Sequence, residues 1–196
     1  MKQLIFATNN PNKVNEVQSI LNSEFSIISL EAAKIYIDIP EPHDTLEKNA
    51  TEKSVTIFKL TEKDCFSEDT GLEVVVLNNE PGVKSARYAA EDPTFNNNID
   101  KLLFHLKDHE NRAAQFRTVI SCILNGQEYQ FEGICKGTIT QQPRGTNGFG
   151  YDSIFIPENS EKTFAEMNLA EKNFFSHRKK AFAQLIDFLK SQHGQN

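Results

Sequence analysis

Asn125-Gly126 divides two β-rich runs, residues 115–124 and 128–140. Asn and Gly tolerate the positive φ that a two-residue hairpin loop demands, so the dipeptide predicts that the runs pair as antiparallel strands. Strand and helix patterns alternate around this hairpin. Residues 4–7 are apolar and strand-like; Thr8, Asn9 and Asn10 are turn formers, and Pro11 suits a first helical position with Asn10 as its cap. Val14, Val17, Ile20 and Leu21 recur at helical spacing, and a second strand fits 25–30. An extended stretch over 35–42 ends in an acidic, proline-bounded loop. Asp44 and Glu47 resemble a capping box opening a helix over 45–59. SEDTGLEVVVL reads as strand, tight turn and strand, with Gly71 in the turn. A helix over 96–109 shares the face Ile99, Leu102, Leu103 and Leu106. After a glycine-rich loop come a short strand at 153–156 and a short helix capped by Thr163 and Glu166. The final helix, 176–190, turns Phe182, Leu185, Ile186 and Leu189 inward. With no repeat, linker or low-complexity stretch, this reads as a single α/β domain over 1–196, whose sheet order the pattern does not give.

A chain of 196 residues buries a core without disulfides or a structural metal. The net charge of −6 argues against a general nucleic-acid surface, because phosphate neutralisation needs clustered Lys and Arg. Cys65, Cys122 and Cys135 show no CxxC spacing, which points to a reducing compartment. The apolar run at 4–7 is too short for a signal peptide or a membrane span. A cytoplasmic protein with neither a nucleic-acid nor a membrane partner is therefore expected.

Four segments carry candidate chemistry. Thr8, Asn9, Asn10, Pro11, Asn12 and Lys13 lie at a strand-to-helix junction, where free N–H groups and Lys13 would attract an anion. An ordinary polar turn with a surface lysine has the same sequence. Glu41, Glu68 and Asp69 form an acidic set suited to Mg²⁺, which takes one or two carboxylates plus substrate phosphates. Neighbours on a strand point to opposite faces, so only one of Glu68 and Asp69 faces a given site unless the strand has ended. A solvated acidic turn is the alternative. GTNGFGYD, with Gly145, Gly148 and Gly150, permits close backbone approach, and Phe149 and Tyr151 could stack on a planar base, although hairpins also use glycines. Lys172, Ser176, His177, Arg178, Lys179 and Lys180 make a basic cluster in an acidic chain, or a solvated helix face. Lys53, mid-helix, matters only if its helix lines the same site. An anion cradle, carboxylates for a metal, a glycine-aromatic loop and a positive patch are together the parts of metal-assisted phosphoryl chemistry on a nucleotide.

FATNNPNKVNEV, DIPE, SEDTGLEV, PGVKSARYA, GTNGFGYDSIF and TFAEMNLAEKNFFSHRKKA, in this order and spacing, resemble the Ham1/RdgB family of inosine triphosphate pyrophosphatases. The resemblance runs from about residue 2 to 189, and the combination of SEDTGL, GFGYD and SHR is specific. It implies a long, twisted mixed sheet with flanking helices, in two lobes around a central cleft, and a homodimer. It also implies Mg²⁺-dependent hydrolysis of ITP, dITP or XTP to the monophosphate and pyrophosphate, which cleanses the nucleotide pool. By the same resemblance, residues 8–13 hold the triphosphate and Asp69 is the catalytic acidic residue. Glu41 is a metal-site glutamate with Glu68 close by, Lys53 reaches the phosphates, and Thr70 lies beside the substrate. Phe149, Gly150, Tyr151 and Asp152 pack against base and sugar, and Lys172, His177 and Arg178 contact the base. Two departures stand out. Asn9 replaces a glycine common among relatives, and Lys48 replaces an acidic residue, which moves the metal's weight to Glu41. A Maf-type pyrophosphatase and a non-catalytic nucleotide-binding protein are the rival readings.

Overall fold

The computed structural model describes residues 2–20, 25–90 and 92–193. The described residues form seven strands and five α-helices: β1 Lys2–Phe6, α1 Pro11–Ile20, β2 Phe25–Ser29, α2 Leu46–Thr61, β3 Cys65–Val74, β4 Pro81–Gly82, α3 Asn98–His105, β5 Ala113–Leu124, β6 Gln127–Ile139, β7 Phe155–Pro157, α4 Leu169–Phe175 and α5 His177–His193. Strand order is β2-β1-β3-β5-β6-β7, with β4 paired to β3. β1 pairs in parallel with β2 and β3, whereas β3–β4 and β6–β7 are antiparallel, so the expected mixed sheet with helices against it is present. The chain divides into two compact units: residues 1–69, 118–133 and 178–196, and residues 70–117 and 134–177.

In the first unit the strands alternate between two apolar clusters, as the two-residue period of a sheet buried on both faces requires. Leu4, Phe6, Phe66, Ile120, Cys122 and Leu124 join Val17 of α1 and Phe182, Leu185 and Leu189 of α5. Ile5, Ala7, Cys65 and Ile123 turn the other way and join Ile57 of α2. Phe6 and Phe66 stack at 4.5 Å, and Phe182 meets Phe66 edge-on at 5.4 Å. This parity governs the site described below. In the second unit Leu72, Val74, Leu102, Leu106, Phe116, Ile139, Tyr151, Phe155 and Phe164 form one core.

The hairpin turns as expected, with Asn125 at φ 51° and Gly126 at φ 80°, the left-handed pair of a two-residue loop. Asn10 caps α1, its Oδ1 accepting from the N–H groups of Asn12 (2.9 Å) and Lys13 (3.4 Å). Leu21 lies outside the described residues. Four expectations need correction. α2 is capped by Thr45, not Asp44: Thr45 is extended and its Oγ1 accepts from the Lys48 N–H. That frame puts Lys48 where a capping box needs Glu or Gln. SEDTGLEV contains no tight turn, because β3 runs unbroken through it. A side chain on Gly71 would stand 2.6 Å from the Gly82 carbonyl oxygen, so glycine here admits the backbone of β4 rather than reversing the chain. α3, Asn98–His105, is shorter than 96–109, lying between the Asn97 and Leu106 caps. The strand expected over 153–156 is a 3₁₀ turn, Asp152–Ile154, running into β7. The Thr163–Glu166 capping box is present on another 3₁₀ turn, and Ser176 stands at the junction where α4 ends and α5 begins.

Candidate active site

Glu68 and Asp69 are adjacent, both buried, and on opposite faces of an unbroken strand. Glu68 has the parity of Phe66 and meets the α1 and α5 side; Asp69 has the parity of Cys65 and meets α2. On the first side, Arg178 at the start of α5 is 2% exposed. Its Nε donates to both Glu68 oxygens, at 2.8 and 3.1 Å, and its Nη1 to Glu16 of α1. Lys13 Nζ lies 3.3 Å from Glu68 Oε1. Burial alone would raise the Glu68 carboxyl, but the charges of Arg178 and Lys13 outweigh it and bring it down to about 2.

On the other side, Lys53 comes from the middle of α2. Its Nζ donates to Glu41 Oε1 at 2.6 Å and to Asp69 Oδ1 at 3.0 Å. Burial disfavours the ammonium, yet the two carboxylates raise its pKa above the ordinary lysine value. One ammonium cannot satisfy two carboxylates fully. Asp69 is 5% exposed and its Oδ2 is buried without a hydrogen-bond partner among the described residues. Desolvation, reinforced by Glu41, therefore outweighs Lys53 and Lys13 and raises the Asp69 carboxyl above its usual range. Two bonds fasten the acidic loop to the helix: the buried Asn49 side chain accepts from the His43 N–H at 2.9 Å and donates to its carbonyl at 3.1 Å. Glu41 is thereby delivered to Lys53. Lys48, by contrast, is exposed.

The loop at 8–13 joins β1 to α1. Asn10 occupies the first-turn N–H groups of Asn12 and Lys13, Thr8 Oγ1 accepts from the Asn10 N–H at 3.2 Å, and Asn9 Nδ2 donates to the Ile37 carbonyl at 2.9 Å. These bonds hold the loop in shape and leave Lys13 as its charged contribution beside Glu68. A cavity of about 570 Å³ borders the loop at Thr8, Asn9 and Pro11 and extends to Val14, Ile35 and Tyr36. It contains none of Glu41, Lys53, Glu68 and Asp69, so the chemistry is not centred there.

The second unit groups the remaining candidates. Asp152 Oδ2 accepts from Lys172 Nζ at 2.6 Å and from the Phe149 N–H at 2.9 Å. Gly148, at φ 75°, has no room for a side chain, since one would stand 2.1 Å from that same carboxylate oxygen. Lys172 Nζ lies 5.2 Å from the Phe149 ring centre and 5.4 Å from that of Phe164. Tyr151 is not a free stacking face: it is packed in the core, and its hydroxyl donates to the Ser85 carbonyl at 3.0 Å. Phe149 is half-buried and Gly150 exposed, while Thr70 follows Asp69 in β3, half-buried. His177 is buried and stacks on Phe116 at 4.7 Å.

Sequence reasoning missed Glu16, Asn49 and Phe116. Glu16 could have been found from its place on the inward side of α1 beside Val17, where a carboxylate needs a buried cation. Nothing local signals its partner, 162 residues away. Among the described residues, no three His, Cys, Asp or Glu side chains are grouped so as to hold a metal ion. Two carboxylates with an orphaned oxygen nevertheless fit Mg²⁺, which completes its shell with water and substrate phosphate rather than a protein cage.

The model of the Ham1 family matches residues 4–188. A dITP/XTP pyrophosphatase of Flavobacterium johnsoniae is 52% identical over 187 residues, covering 95% of this chain and 97% of that protein. The Ham1 protein of Staphylococcus aureus superposes with a TM-score of 0.86 at 37% identity, over 97% of this chain and all of the other. A Coxiella burnetii HAM1 protein gives 0.87 at 35%, with the same coverage. The family pattern thus embraces Lys13, Glu41, Lys53, Glu68, Asp69 and Arg178 together, and the chain belongs to the Ham1 family.

Proposed function

We propose that this protein hydrolyses ITP, dITP and XTP to the nucleoside monophosphate and pyrophosphate. The observation that carries the reaction is the buried, unpartnered Oδ2 of Asp69, a carboxylate of raised pKa beside two lysines, in a chain of this family. A carboxylate so placed accepts a proton from an attacking water more readily than an exposed one. Lys53 and Lys13 supply positive charge to phosphate oxygens, and Glu68, held ionised by Arg178, keeps Lys13 in place. Mg²⁺ is the proposed cofactor, with Asp69 and Glu41 to hold it; when bound it would neutralise charge on the phosphate oxygens. Glu68 is better described as the partner of Arg178 and Lys13 than as a third metal ligand. Lys172 and His177 are the proposed readers of the base. A donor satisfies a 6-oxo group and is left facing another donor by a 6-amino group, a mismatch of about 1–3 kcal/mol.

The family resemblance supports a homodimer, and three buried cysteines, none in a disulfide among the described residues, suit a reducing cytoplasm. The test is a hydrolysis panel of ITP, dITP, XTP, GTP and ATP with Mg²⁺ or EDTA, with product identification. Pyrophosphate and monophosphate are expected from the first three, with loss in EDTA and in Asp69→Asn. Orthophosphate as the product, or wild-type turnover in folded Asp69→Asn, would overturn the assignment.

A further inference from the structure

Lys53 stands between the two carboxylates assigned to the metal, not beside them. Its ammonium bridges Glu41 Oε1 and Asp69 Oδ1 at 2.6 and 3.0 Å in a place only 7% exposed. Without it, the buried Asp69 and the half-buried Glu41 would repel each other with the Lys13 charge alone to offset them, an arrangement that folding tolerates poorly. The helix that delivers it is pinned on both sides of residue 53. Asn49 grips His43, and Ser54 Oγ pairs with Ser121 Oγ at 2.6 Å, so the backbone is fixed while the four-carbon stem remains the movable part. Lys53 engages Asp69 through Oδ1 and leaves Oδ2 to a divalent ion, so ammonium and ion would share the same two carboxylates, and two cations on one pair repel.

We propose that Lys53 is a displaceable counter-ion: its ammonium on the Glu41–Asp69 pair holds divalent-ion affinity down. An incoming triphosphate, the stronger anion, draws the ammonium away and opens the pair to the metal. This rests on the assignment of Mg²⁺ to Asp69 and Glu41. By linkage, whatever weakens the lysine's hold strengthens the metal's, and the reverse.

Calorimetric titration of nucleotide-free protein with Mg²⁺ tests it. Lys53→Met, which keeps the stem and removes the charge, is expected to bind Mg²⁺ at least about ten-fold more tightly than wild type, within the usual range of coupling between sites. Unchanged or weaker binding by a folded Lys53→Met overturns the proposal. A second measurement uses the wild-type protein alone: the acylation rate of Lys53, followed by peptide mapping, should rise in saturating Mg²⁺ over EDTA, and equal rates overturn the proposal. Asp69→Asn separates the two ideas. If it abolishes Mg²⁺ binding while Lys53→Met leaves binding at the wild-type level, the metal assignment stands and the counter-ion role alone falls. If Asp69→Asn leaves Mg²⁺ binding intact, the metal assignment falls and takes the proposal with it.

Discussion

Removing the Arg178 charge should destabilise the protein more than any surface substitution could. Arg178 is 2% exposed and is gripped by Glu68, itself 1% exposed, and by Glu16. In Arg178→Met both carboxylates lose that guanidinium, and Lys13 at 3.3 Å is the cation left to Glu68. Keeping the Glu68 carboxyl at about 2 instead of its ordinary 4.5 corresponds to about 3 kcal/mol at neutral pH. Lys13 contributes to that figure as well as Arg178, and the general cost of breaking a buried pair from one side, about 3–5 kcal/mol, sets the scale for Arg178→Met. For a chain of this length that is a fall in Tm of roughly 6–20 °C. Urea and thermal denaturation of Arg178→Met, Glu68→Gln and the double variant measure it. The double variant should recover at least about 1 kcal/mol relative to Arg178→Met, because the stranded charge is gone. A stability loss under about 1 kcal/mol in Arg178→Met, or no recovery in the double variant, would show that the clamp does not hold the fold together.

Two further outcomes follow from the same geometry. The stability gap between wild type and Arg178→Met should narrow on acidification. A carboxyl with a depressed pKa contributes its full stability above the unfolded value of about 4.5 and loses it as pH falls toward about 2, so chemical denaturation across that window reads the sign directly. Gly71→Ala should lower stability by about 2–4 kcal/mol, since its new Cβ would meet the Gly82 carbonyl at 2.6 Å, backbone against backbone; a thermal melt within 2 °C of wild type would contradict this.

What the sequence made legible was what depends on near neighbours. The hairpin at Asn125-Gly126, the Asn10 cap, the Thr163–Glu166 box and the inward face of α5 each need only a few consecutive residues, and each is present. The errors share a different cause. Gly71 reads as a turn because glycine's commonest local use is positive φ; its actual use depends on Gly82, eleven residues on, and on the two-residue strand β4, too short to leave a pattern. Asp44 and Thr45 are both good caps, and the backbone had to choose between them. Arg178 was legible as part of a basic cluster. Its sequestration by Glu16 and Glu68 was not, because the bonds span 162 and 110 residues. Tyr151 likewise carries the chemistry of a stacking residue, and only the fold reveals that its hydroxyl is anchored on Ser85.

The alternation of side chains along β3 carries the most functional weight. Because β3 does not end at Glu68, two neighbouring and chemically similar carboxylates are sent to opposite faces and acquire opposite characters. Glu68 meets a guanidinium and a lysine, and is held ionised. Asp69 shares one ammonium with Glu41, keeps an oxygen without a partner, and has its pKa raised. Environments that push two carboxyl pKa values apart separate a permanently charged structural group from one able to exchange a proton. A turn at Gly71 immediately after the pair, as the bare sequence suggests, would have freed both side chains to face one site and left them competing for the same cations. The unbroken strand, made possible by a glycine that admits β4, is therefore part of what distinguishes Asp69 from its neighbour.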